Sequence, residues 1–412
     1  MGRRNGGKLN TERELRQDAM RLLVCRDAQS RQAAEGIASR GQWQDVVDLC
    51  GQWKLLPALE SRVATLGIAL PSAERAALSA RTQPAFVQTM LCVRSGMTAL
   101  SALERAGIRC AGFKGLAALA YLYPGPRSRT LQDVDILIQP QDVEAALGVL
   151  EQVGFKRSPD GPWEEYVAFL RHSPGTAGNE AVSLRDEKGG AVDLHWRLGG
   201  LDIERLLACS EPAEILNRHL PMMSAGHSML LSIHHALRND FVPGDIARDV
   251  CDFAHWQALL NETGQWQTIS ADAERWGLST ACAAIAQIVA EFRGPLNAEP
   301  LLLLSREDQA TAQQLAAFYF HQLLAGAINT DLAYVTSTRP VKQVASGLAM
   351  GWKGYRELMR RSEESNGELS LPLHTRLWNL GKSLAGLSPS GWRQVRVLAR
   401  AKDKMAGPQR PS

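Results

Sequence analysis

The sequence predicts an α+β chain, with a compact unit of mixed sheet and helices set between helical N-terminal and C-terminal regions. Three observations carry this. From Glu12 to Gly107 the apolar residues recur at helical spacing, broken only near Gly41, Pro57, Gly67 to Pro71 and Pro84. Between residues 108 and 200 the pattern changes to short apolar strands separated by glycine turns. After Asp202 the helical period returns. The expected divisions are therefore 1–107 (helical leader), 108–200 (α/β core), 201–335 (helices packing on the core) and 336–412 (a basic, partly irregular end).

The elements follow in order. Phe86, Met90, Val93, Met97 and Leu100 mark the clearest helix, running from Phe86 to Ala106 and closed by Gly107. Ile108 to Phe113 reads as a buried strand and Gly115 to Tyr123 as a helix stopped by Pro124-Gly-Pro126. Val134 to Ile138 is the second strand. Pro140 then opens a helix with Val143, Leu147 and Leu150 on its apolar face, ending at Gly154. Ala181 to Arg185 and Ala191 to Trp196 flank a glycine-containing loop and predict a β-hairpin; Tyr166 to Arg171 offers a further strand. Helices are expected over Gly226 to Asn239, Asp245 to Leu260, Trp266 to Trp276, Ser279 to Phe292 and Arg306 to Ile328.

Bulk properties exclude several classes. With 45% apolar and 22% charged residues the chain has ordinary globular usage, and 412 residues are enough to bury at least one large core. A net charge of +3 does not argue for nucleic acid. Seven cysteines without a C-x-x-C pair argue against a disulfide framework and a structural zinc site, and point to a reducing, cytoplasmic setting. The longest aliphatic run, Leu301 to Leu304, is far short of the roughly 20 residues of a membrane span. Charged residues from Thr11 to Arg21 stand where a signal peptide needs an apolar stretch. Near the end, the arginines of Trp392 to Arg400 read first as a solvated face, and Trp352, Trp378 and Trp392 beside basic residues offer the alternative of contact with an anionic membrane surface or nucleic acid.

The chemistry centres on Asp133-Val-Asp135. Strand alternation turns both carboxylates to one face, while Val134 and Ile136 turn to the other. Like charges that close are stable together only in water, beside cations or around a divalent metal. Asp193, with His195 and Arg197 on the same face of its strand, supplies a third carboxylate. Three such groups suit two Mg²⁺ (or Mn²⁺) ions about 3.5 to 4 Å apart, the arrangement that stabilises attacking and leaving oxygens in phosphoryl transfer. Lys114 and the amide of Gly115, at a helix start, make an anion cradle, and Arg129 either neutralises phosphate or pairs with an aspartate. The competing reading of Asp133 and Asp135 is a solvated strand end or an ion pair with Arg127 or Arg129.

These residues in this order carry a resemblance. Lys114-Gly115 opening an apolar stretch to Tyr123, then Arg127 to Arg129, Asp133-Val-Asp135, and Val192-Asp193-Leu-His195-Trp196, resemble the bacterial uncharacterised nucleotidyltransferase family, a branch of the DNA polymerase beta-like nucleotidyltransferase superfamily. In layout the likeness runs from about Trp43 to Leu260. It implies a polymerase beta-like core with metal on Asp133 and Asp135, and Asp193 as third ligand and base toward an acceptor hydroxyl. The reaction it implies is transfer of a nucleoside monophosphate from an NTP to an unidentified acceptor, releasing pyrophosphate. One departure stands out: the superfamily's glycine turn usually reads Gly-Ser, and this chain has Lys114-Gly115. That departure motivates the alternative of a non-catalytic nucleotide sensor or partner-binding protein on the same fold, and the carboxylates also suit a kinase or phosphohydrolase. His195, His235 and Arg248 are accessory candidates. His235, Asp249 and Asp252 are read mainly as a buried polar network that orients the helical region against the core.

Overall fold

The computed structural model describes residues 4–157, 181–199, 201–238, 243–294 and 306–325. The expected strand at Tyr166 to Arg171 and the tryptophan-bearing basic end lie outside them. Five helices lead: α1 (Arg4–Val24), α2 (Asp27–Ser39), α3 (Trp43–Gln52), α4 (Leu56–Leu66) and α5 (Ser72–Arg105). The α/β portion continues with β1 (Cys110–Phe113), α6 (Gly115–Leu122), β2 (Val134–Ile138), a 3₁₀ turn at Pro140–Asp142, α7 (Val143–Gln152), β3 (Lys156–Arg157), β4 (Ala181–Arg185) and β5 (Ala191–His195). Then come α8 (Ile203–Ala208), β6 (Ser210–Ile215), β7 (Arg218–Met223), α9 (Ala225–Arg238), α10 (Pro243–Thr263), α11 (Trp266–Arg275), α12 (Ser279–Arg293) and α13 (Arg306–Ala325).

Among the described residues one mixed sheet of seven strands runs in the order β3-β4-β5-β2-β1-β7-β6. β2 pairs with β5 in parallel and with β1 antiparallel, and β4 and β5 form the expected antiparallel hairpin. The strand alternation read from the sequence separates two cores. Val134, Ile136, Ile138, Val192 and Leu194 join Cys92, Val93, Leu100 and Leu103 of α5 on one face. Ala111, Phe113 and Leu137 join the larger core of the leader and the C-terminal helices on the other. Asp135 shares that second face by alternation, so the carboxylates look toward the helical regions.

Two sequence expectations fail here. Pro84 does not break the leader: α5 continues through it over 34 residues. A mid-helix proline forfeits a backbone hydrogen bond, but Leu78 and Thr82 before it and Thr89, Cys92 and Val93 after it are all buried, so packing on both sides outweighs the local cost. The second failure is β6–β7, which joins the sheet within a stretch expected to be helical. Its turn residues Leu216 and Asn217 both have positive φ, 49° and 60°, as a two-residue primed turn requires. Leucine at such a position gives no turn signal. Pro212 and Pro221, which face each other across the hairpin, further mask the strand pattern.

Close approach of α5 to the sheet depends on glycine. A Cβ on Gly190 would lie 2.7 Å from the Leu91 carbonyl oxygen, and one on Gly96 would lie 2.8 Å from a Val134 methyl. These contacts hold β2 and β5 against the same helix. Among the described residues no helix is long and apolar enough to cross a membrane.

Candidate active site

The site begins with register. Parallel pairing of β2 with β5 sets Asp135 opposite Asp193 and Leu137 opposite His195. Antiparallel pairing of β1 with β2 sets Phe113 opposite Asp135. Ligand atoms of Asp135, Asp193 and His195 lie within 4.8 Å of one another, a grouping able to hold a metal ion. Asp133, one residue before β2, is exposed and stays outside that trio. It remains within electrostatic reach: partial loss of solvent around its carboxyl, then repulsion from Asp135 and Asp193, pushes its pKa up to about 6, against the opposing pull of Lys114 and Arg248.

Asp135 is 6% exposed and its Oδ1 is crowded. Lys114 Nζ donates to it at 2.6 Å and His195 Nε2 lies 2.8 Å away. Burial of the Asp135 carboxyl opposes its ionisation, but the Lys114 ammonium and the His195 hydrogen bond prevail and hold its pKa well below the usual carboxylate range. His195 is oriented by packing, its ring edge-on to Phe113 with centroids 5.2 Å apart. Its Nδ1 is buried and makes no hydrogen bond with the described residues. Asp193 is half-buried and takes a 2.6 Å hydrogen bond from Ser183, its cross-strand neighbour on β4.

Lys114 is held in an unusual way. Its backbone has φ 49° and ψ −118°, a conformation that glycine accepts and other residues adopt at a cost of about 1–3 kcal/mol. The turn delivers the chain from β1 into α6 and aims the lysine at Asp135 rather than leaving it open to an incoming phosphate. Gly115, the first residue of α6, is closely covered as well. A Cβ there would lie 2.6 Å from Leu131 and 2.9 Å from the Arg129 guanidinium.

Arg129 corrects the phosphate-binding expectation. It is 8% exposed and its guanidinium meets Asp252 of α10, with Nη2 to Oδ2 at 2.7 Å and Nε to the two oxygens at 3.2 and 3.3 Å. Nη1 donates to the carbonyls of Gly115 and Thr130. Tyr123 donates its hydroxyl to Asp252 at 2.5 Å. Burial disfavours a charged Asp252, yet Arg129 and the Tyr123 hydrogen bond keep its pKa lowered. Of the residues expected in a buried network, Asp252 is buried and holds the arginine that the sequence left between two roles, with Tyr123 as the third member.

The network locks the segment that leads into the aspartates. Leu131 N donates to Thr89 Oγ1, which itself donates to the Arg129 carbonyl; Thr130 Oγ1 donates to the Lys54 carbonyl; and Lys54 Nζ reaches Gln132. Residues 129 to 132 are thus tied to the leader and to α10 at every position, which fixes the approach of Asp133 to the site. Sequence reasoning named Arg129 and Asp252 but had no signal for their pairing, nor for Thr89, Lys54, Ser183 or the ring of Phe113. Arg248, on α10 and half-buried, lies near enough for its charge to lower the pKa values of Asp133 and Asp252. His235, on α9, is half-buried and outside the trio.

The donor set fits a divalent cation. Two carboxylates supply the oxygens that hard ions prefer, and the imidazole is a ligand that Mn²⁺ tolerates better than Mg²⁺ does. Facing carboxylates whose mutual repulsion raises the pKa of Asp133 also gain from a positive charge placed among them.

No curated protein matches this chain. A family model described as uncharacterised nucleotidyltransferase matches residues 39–294, taking in most of the leader, the whole described sheet, the Asp135–Asp193–His195 trio and the Arg129–Asp252 pair, and the chain belongs to that family.

Proposed function

We propose that the chain transfers a nucleoside monophosphate from an NTP to an acceptor hydroxyl, releasing pyrophosphate, on a core related to the DNA polymerase beta-like superfamily. The observation that carries this reading is the register pairing of Asp135 with Asp193, within ligand distance of His195, in a chain of a nucleotidyltransferase family. Asp135 and Asp193 would hold the divalent cation, with His195 and Asp133 beside them. Bound there, such a cation neutralises triphosphate charge and the charge that builds on attacking and leaving oxygens.

The remaining work belongs to the protein's own groups. Asp193 is half-buried and engaged by one serine, so it is the carboxylate best placed to accept the proton of an acceptor hydroxyl. Gly115 opens α6, and its amide belongs to the positively polarised end of that helix, where phosphate oxygens are favoured. Arg248 contributes positive charge from the α10 side. Arg129 acts at a distance by fixing the 129–132 segment.

The test is incubation of the purified chain with labelled NTPs, Mg²⁺ or Mn²⁺ and cell extract, followed by identification of the labelled species and assay of pyrophosphate. Transfer with pyrophosphate release, lost in Asp193→Asn, is the expected result. NTP binding without release in the presence of acceptors sinks the transferase reading in favour of a sensor. Release of phosphate or ADP points to kinase or hydrolase chemistry.

A further inference from the structure

The crowding at Asp135 has a consequence for how many metal ions the site can take. A carboxylate shared by two cations would present one oxygen to each, and Asp135, with Asp133 before it on the chain and Asp193 beside it in register, is the carboxylate that two cations would share. Each carboxylate oxygen has about two lone-pair positions. Oδ1 of Asp135 already accepts a hydrogen bond from Lys114 Nζ at 2.6 Å, and His195 Nε2 lies 2.8 Å from the same oxygen. One oxygen of the bridging group is therefore occupied by a protein cation.

Lys114 is not a surface side chain that drifted there. Its backbone takes φ 49°, a left-handed value, at the turn between β1 and α6; its side chain is 16% exposed; and its ammonium also lies 5.2 Å from the Phe113 ring centroid, on the aromatic side chain that packs against His195. A lysine held in a glycine-favouring turn and aimed at the most buried carboxylate of the site has the placement of a built-in charge.

We propose that Lys114 is a resident counter-ion that takes the place of a second divalent cation, so that the site holds one metal ion, on Asp135 and Asp193, with the lysine ammonium as the other positive charge. This rests on the metal-dependent reading above and replaces the two-ion arrangement expected from the sequence. It also gives the Lys114-Gly115 turn a role distinct from the hydroxyl grip of Gly-Ser.

The experiment is a Mn²⁺ titration at fixed pH, with free Mn²⁺ read by electron paramagnetic resonance and no nucleotide present. It compares the wild-type chain with Lys114→Gly, which suits the positive φ, and Lys114→Arg, which keeps the charge. Expected are one ion per chain in the wild type and in Lys114→Arg, and two in Lys114→Gly. Two ions in the wild type overturn the inference and leave the metal-dependent reading standing. One ion in both the wild type and a folded Lys114→Gly reduces Lys114 to an ordinary ion pair and also overturns it. No binding by the wild type removes the metal site itself and both readings with it. Should Lys114→Gly fail to fold, as judged by circular dichroism, Lys114→Gln, which keeps a long polar side chain without the charge, takes its place: two ions there support the proposal and one overturns it.

Discussion

Asp135 and Asp193 are register partners on adjacent parallel strands, joined by a pairing that also brings His195 beside Leu137. The two aspartates nevertheless live in different surroundings. Asp135 is buried between a lysine and a histidine, whereas Asp193 is half-buried with one serine partner. Removing the charge at each should therefore separate function from stability. Asp193→Asn keeps an oxygen for Ser183 and is expected to change unfolding free energy by less than about 1 kcal/mol. Asp135→Asn leaves the Lys114 ammonium without its counter-charge and is expected to cost roughly 2–4 kcal/mol. Both should lower nucleotidyl transfer by at least about 100-fold, the scale on which a preorganised charge-stabilising group acts. Urea denaturation beside a pyrophosphate assay checks the pair; equal stability losses would contradict the difference in environment.

The Arg129–Asp252 pair joins the segment before β2 to α10 in a buried setting, with Tyr123 as a third member. Breaking it from one side strands a buried charge. Asp252→Asn is expected to destabilise the chain by about 3–5 kcal/mol, and Tyr123→Phe by about 1 kcal/mol. Thermal unfolding of the two variants measures the order; a neutral Asp252→Asn would mean that Arg129 finds other acceptors.

Asp133 bears on stability in the opposite sense. Its folded pKa, about 6, is raised above the ordinary 3.8, so the folded state binds its proton more tightly than the unfolded state does. That contribution favours folding below pH 4 and is lost as pH rises through 6. Asp133→Asn should accordingly stabilise the chain at pH 8 and give no gain at pH 4. The residue is exposed and solvent screens the repulsion, so the gain is expected to stay under about 1 kcal/mol. Melting curves of both proteins at the two pH values decide it.

His255 supplies a second pH signature. Burial, then the charges of Arg293 and Arg62 against the opposing pull of Asp252, lower its pKa from 6.5 to about 4, and its ring lies edge-on to Tyr123. The unfolded state takes up the proton first as pH falls. Stability is fully present above 6.5 and declines through the window down to 4, by on the order of 2 kcal/mol between pH 8 and pH 5. His255→Phe keeps an aromatic ring against Tyr123 and removes the titration, so its melting temperature should fall less over that interval. An unchanged slope would place the acid sensitivity elsewhere.

Much of the α/β portion was legible because the period of its side chains is a local property. Val134–Ile138 matches its expected bounds, and the Asp186–Gly190 hairpin was read from two alternating runs and a glycine loop. Where local cues contradicted the structure, packing had the stronger hand: Pro84 sits inside α5, and Leu216-Asn217 turns the β6–β7 hairpin without a turn-like composition.

By itself the sequence determined that Asp193 and His195 share a face and that a lysine stands where a glycine turn meets a helix, since alternation and turn chemistry act within a few residues. Only the tertiary structure decided which charges meet. Strand order placed Asp193 beside Asp135, the turn at Lys114 turned an expected phosphate ligand onto Asp135, and the docking of α10 drew Arg129 away to Asp252. Charge pairing depends on distance in space and on the exclusion of water, and both are set by how the sheet and the helices pack.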